Sequence, residues 1–149
     1  MGQYYYPVNL DRKQFIHPHK FSDGLKLTAF GASGEGTMFA LAVLLSDGNG
    51  RGGGDVPSYN KLIGSWAGDR IVIAGDYADK GKFIERTDTN LHCLADEEYQ
   101  DISQEIIQVL LDAGERISYD TTKVEAKGQP SPDRQCSLRP DMILFVDPK

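Results

Sequence analysis

Asp69-Arg70-Ile71-Val72-Ile73-Ala74-Gly75-Asp76 sets β-branched residues at the centre of an apolar run and turn formers at both ends, the pattern of a buried strand. No other stretch of the chain reads so clearly as a strand, and the rest of the fold is assigned around it. At about 3.3 Å per residue, Asp69 and Asp76 stand some 20 Å apart along it. They are therefore not a paired acid and base through this strand alone.

Moving towards the N-terminus, the tyrosine- and valine-rich stretch from Gln3 to Leu10 suits a first strand closed by Asn9-Leu10-Asp11. Residues 11–23 are polar, with turn signals at His17-Pro18 and Asp23-Gly24, and read as a loop. In residues 25–30, Leu25, Leu27 and Ala29 alternate with Lys26, Thr28 and Phe30, which predicts a second strand. From Thr37 to Leu45 the chain is apolar on nearly every side, so a short buried helix is expected, with Thr37 as its N-cap. It ends in residues 47–55, five of whose nine residues are glycine. Glycine loses the most backbone entropy on ordering, so this segment reads as a flexible loop unless a ligand or the fold organises it.

Towards the C-terminus, residues 79–99 read as irregular with room for one short strand. Ile102, Ile106, Val109, Leu110 and Ala113 share one helical face; Asp101 and Gln104 stand in capping-box positions, and Gly114 at the C′ position. Residues 115–119 suit a strand, residues 121–139 a flexible polar excursion, and Met142-Ile143-Leu144-Phe145-Val146 a final buried strand. The expectation is a single compact domain over residues 1–149, of α/β or α+β class, with a mixed central sheet and two main helices.

Composition narrows the setting. The 149 residues are 40% hydrophobic and 26% charged, ordinary for a packed globular chain. The formal net charge of −6 repels a phosphate backbone, so nucleic acid is not an expected partner. The longest apolar run, Met38 to Leu45, is too short to cross a bilayer. With no basic and apolar leader at Met1-Gly2-Gln3 and only Cys93 and Cys136 as thiols, the expected location is the cytoplasm.

Three groups of residues invite a chemical reading. Gly31-Ala32-Ser33-Gly34-Glu35-Gly36-Thr37 is a glycine-rich turn before a helix, where backbone N–H groups and the helix dipole can receive a phosphate. Its spacing is G-x-x-G-x-G and differs from the dinucleotide fingerprint. The central block adds Trp66 as a ring on which a base could stack, and Asp76, Tyr77 and Asp79 at the C-terminal end of the strand, where open sheets place ligands. His17, His19, His92, Cys93 and Cys136 lack the spacing that nucleates a zinc site, and no metal is expected of them.

Met1-Gly2-Gln3-Tyr4-Tyr5, Val8-Asn9-Leu10-Asp11 and Trp66-Ala67-Gly68-Asp69-Arg70-Ile71 to Gly75-Asp76-Tyr77 resemble blocks carried by a set of uncharacterised microbial proteins. The resemblance implies no activity, cofactor or catalytic residue; it marks the central block as the place to look. The leading expectation is a domain binding a small phosphorylated or nucleotide-like anion through Gly31, Ser33, Gly34, Gly36, Thr37, Trp66, Asp76 and Tyr77. One alternative is a metal-assisted hydrolase or transferase using Asp76 and Asp79, with Arg70 or Arg51 neutralising an anion. The other is a protein-interaction or inhibitor module, anchored by exposed aromatic residues.

Overall fold

The computed structural model describes residues 2–128. The expected strand at residues 142–146 and Cys136 lie outside the described residues, as does most of the excursion over residues 121–139. The fold is α+β: a mixed four-stranded sheet with helices on both faces. The strands are β1 (Tyr5–Asn9), β2 (Gln14–Phe15), β3 (Ile71–Gly75) and β4 (Gln100–Asp101), in the order β3-β1-β2-β4. β1 pairs antiparallel with both β2 and β3, and β2 pairs parallel with β4.

The helices are α1 (Leu27–Phe30), α2 (Thr37–Leu45), α3 (Leu91–Glu98) and α4 (Ser103–Asp112). Successive residues of a strand face opposite sides of a sheet, and here the sides are distinct. Tyr6, Val8, Val72 and Ala74 meet Leu91 and Ala95 of α3 on one side. Ile71 and Ile73 lean on the larger core built by α2 and α4 on the other, where Leu44, Trp66, Ile106 and Leu110 are fully buried. Burying Ile106, Ile107, Val109 and Leu110 of α4 contributes on the order of 6–12 kcal/mol relative to exposure.

α4 ends where the residues predict and begins one residue later, with Ile102 and not Asp101 at its N-cap. The Asp101 carboxylate accepts the Ser103 amide at 2.9 Å and its hydroxyl at 2.6 Å. The capping box does not close: the Gln104 side chain accepts the Glu125 amide instead. At the other end Gly114, with φ of 82°, lets its own amide reach the Leu111 carbonyl and the Glu115 amide reach that of Leu110. This is a Schellman closure, and only glycine adopts its left-handed turn without penalty.

Several expectations are corrected. Residues 25–30 do not form a strand: residues 27–30 make one helical turn, with only Phe30 buried and Leu27 exposed. Six alternating residues are too few to separate the two periods. Residues 79–99 contain α3, whose Leu91, Leu94 and Ala95 fall on one face and whose N-cap Asn90 accepts the Cys93 amide at 2.9 Å. Residues 11–23 hold β2 and a 3₁₀ turn, Pro18–Phe21. Residues 115–119 are not a strand. The strand at the centre of the sequence lies at the edge of the sheet and is half-buried over Ile71, Val72 and Ile73. Among the described residues no helix is long and apolar enough to cross a membrane.

Candidate functional site

β3 is held on one side only. The Leu10 amide bonds the Arg70 carbonyl and the Asp76 amide bonds the Tyr4 carbonyl, both at 2.9 Å, which fixes the parity of the ladder. Val72 and Ala74 turn both backbone groups towards β1, as do the Arg70 carbonyl and the Asp76 amide beyond them, so Ile71, Ile73 and Gly75 turn theirs outward. Among the described residues only the Gly75 carbonyl has a partner on that side, the Ala78 amide at 3.2 Å. Ile71-Val72-Ile73-Ala74-Gly75 carries no charge and no proline, the devices that keep an edge strand from pairing.

Both ends of β3 are fastened by side chains. Asp11 accepts the Arg70 guanidinium at 2.9 and 2.8 Å and the Arg70 amide at 2.8 Å. These bonds hold the Asp11 carboxyl below its ordinary range and raise Arg70. Buried Asn9 donates to Asp69 and accepts the amides of Asp11 and Arg12, and Arg12 pairs with Asp69 at 3.0 Å. At the other end the Asp76 carboxylate accepts the Tyr4 amide at 3.0 Å and the Gln3 side chain accepts the Tyr77 amide at 3.2 Å. The Tyr4 and Tyr77 side chains are left out in solvent, 45% and 65% exposed. The N-terminal and central sequence blocks are thus the two halves of one interlocked strand pair.

The other proposed site residues sit elsewhere. Gly31 is the C-cap of α1, Gly36 the N-cap of α2, and Gly34 is exposed with open space where a side chain would stand. The N-terminus of α2 already holds a carboxylate: Asp23 accepts the Thr37 amide at 2.8 Å and its hydroxyl at 2.7 Å. Thr37 is therefore the first helical residue and not the cap. Ser33 accepts the Met38 amide at 3.2 Å. In the glycine-rich loop Asp55 accepts the amides of Gly50, Arg51 and Gly52 at 2.9, 2.8 and 3.2 Å, which lower its pKa. Both amide cradles are filled by the chain's own carboxylates.

Trp66 is wholly buried and donates its indole N–H to Gln14 at 2.8 Å, so its faces belong to the core. Asp79 is exposed, and no group of three His, Cys, Asp or Glu suited to a metal exists among the described residues. No family model, curated protein or solved structure matches this chain. The reading of the site therefore rests on geometry.

Sequence reasoning missed one cluster, because its members are far apart in the chain. His92 and His17 pack on Tyr6, and His19 packs on His17. The Tyr6 ring lies 4.1 Å from His92, 4.8 Å from His17 and 4.9 Å from Phe15, and His19 stands 5.4 Å from His17. The Tyr6 hydroxyl donates to Asp96 at 2.7 Å; burial, then that bond, pushes its pKa up. Burial lowers His17 and His92. Both His92 nitrogens are buried without a partner among the described residues, and the ring packs face to face on Tyr6.

A shallow cleft of about 320 Å³ lies apart from these residues, lined by Asp47, Asn49, Asn60 and Lys61, with Tyr59 on its rim, 93% exposed.

Proposed function

We propose that this protein is an interaction module that takes up an extended segment of a partner along the outer edge of β3. The observation that carries this reading is the row of outward backbone groups at Ile71, Ile73 and Gly75, unprotected by charge or proline. An added strand gains main-chain hydrogen bonds, each contributing about 0.5–1.5 kcal/mol net. Exposed Tyr4 and Tyr77 stand at one end of the β1–β3 pair, aromatic side chains of the kind that dominate binding energy. A cytoplasmic setting fits the free thiol of Cys93. The reading extends to the proteins carrying similar N-terminal and central blocks, because those blocks build the β1–β3 pair.

Ile73→Pro tests it. The Ile73 amide points away from β1, so proline there removes an outward donor and leaves the β1 ladder intact. The variant is expected to fold and to lose whatever strand partner the native protein retains from a lysate under cross-linking. Retention of the same partner by folded Ile73→Pro protein overturns the reading.

A second reading is favoured by Tyr59, whose exposed ring beside Lys61 and Asp47 suits a small polar ligand with a stacking face. Thermal-shift screening against sugars, nucleotides and phosphorylated metabolites, repeated on Tyr59→Ala, tests it. A stabilising ligand that Tyr59→Ala binds equally well rules the cleft out.

A further inference from the structure

We infer that the strand taken up by β3 is β3 of a second copy of this chain, antiparallel and centred on Ile73. The inference rests on the proposed use of this edge and names its occupant. A two-fold axis at Ile73 makes the contact isologous, the commonest way for a soluble chain to pair. In that register Ile73 exchanges both of its outward backbone hydrogen bonds with Ile73 of the second copy. Ile71 meets Gly75 in the same way, and the Gly75 carbonyl, with a second lone pair, accepts alongside the Ala78 amide.

The charges at the two ends of the strand select this occupant. Arg70 and Asp76 continue the ladder on either side of β3, equally far from Ile73, so the axis sets Arg70 of each copy opposite Asp76 of the other. Both belong to the set that alternates with Ile71 and Ile73, so their side chains lie on the same face of the joined sheet. They fall at a non-hydrogen-bonded position, where facing side chains approach most closely. Asp76 spends one carboxylate oxygen on the Tyr4 amide, and Arg70 has one terminal nitrogen outside its bonds to Asp11. Between them Val72 of each copy faces Ala74 of the other and extends the apolar face. A parallel strand, or a register shifted by two residues, separates the opposite charges.

Charge reversal tests the register. The measurements are sedimentation velocity of the full chain from low micromolar to near-millimolar concentration, with amide exchange of Ile71, Ile73 and Gly75 read by NMR. The native chain is expected to dimerise and to protect these amides as it does. Arg70→Asp and Asp76→Arg each place like charges in apposition and are expected to weaken self-association at least tenfold. Mixed together the two variants recover native affinity, because each supplies the charge that the other lacks; circular dichroism establishes that both fold. Ile73→Pro is expected to be a folded monomer. A native chain that stays monomeric throughout overturns the second copy as occupant while leaving the edge open to another strand. A dimer that survives in Ile73→Pro overturns both the register and the edge, and a mixture no tighter than the single variants overturns the register.

Discussion

Tyr6 lies flat against His92, their ring centroids 4.1 Å apart and their planes inclined by 16°. The contact joins β1 to α3 and shields the imidazole from water, which disfavours its charged form. Burial is the main cause of the lowered pKa of both His92 and His17.

Stability is therefore expected to fall with mild acid. The unfolded histidines take up protons near pH 6.5, whereas the folded ones resist until lower pH, so the unfolded state binds more protons in between and gains on the native state. The contribution is intact above about pH 6.5 and is lost as pH drops from there towards the depressed folded values. The carboxyls of Asp11, Asp55 and Asp88 are held below 3.8, and that of Asp120 at about 2; they act in a separate, lower window. In His92→Phe the ring contact survives, two buried nitrogens without a partner among the described residues disappear, and stability is expected to rise by about 1 kcal/mol at neutral pH. Thermal unfolding of both proteins between pH 7 and 5 checks this; equal slopes would show that His92 is not a source of the acid sensitivity.

Asp23→Ala is expected to cost about 1–2 kcal/mol, because it uncaps α2 from a position outside the helix. Gly34→Ala, in the same turn, is expected to change stability by less than about 0.5 kcal/mol, since its Cβ meets open space. Urea denaturation midpoints separate the two. A larger effect at Gly34 than at Asp23 would contradict this account of the turn.

Gly64 is the opposite case. Its φ of 78° is left-handed, and an added Cβ would stand 2.6 Å from the Ser46 carbonyl oxygen. Gly64→Ala is expected to cost about 2 kcal/mol or more through strain and displacement of that carbonyl. A near-native denaturation midpoint would mean that the segment relaxes freely.

Local signals in the sequence located α2, β3 and α4, because their apolar pattern and caps lie within one short window. α4 is the clearest case, with Asp101 ahead of it and Gly114 behind. β4 is a two-residue strand that exists only because Gln100 meets Gln14 of β2, a pairing with no local signature. α3 carried a readable signal in Asn90, Leu91, Leu94 and Ala95, obscured by the acidic residues that follow. The turn before α2 offers backbone amides to a negative group, and the group it holds is the chain's own Asp23. Its occupant was missed because Asp23 lies 14 residues upstream. Trp66 shows the same limit: glycine neighbours suggested an open ring, while the contacts that bury it come from Gln14 and from α2 and α4.

The pairing of β1 with β3 also fixes an order of assembly on the ribosome. Tyr5 finds Gly75 only about 70 positions later, and at about 5–20 residues per second that is roughly 4–14 s of synthesis. Until then β1 has β2 as its early neighbour, reached through a short turn. The strand offered to a partner is thus made well after both strands of the β1–β2 hairpin, and a nascent chain cannot present its docking edge before the strand that will hold it has been synthesised.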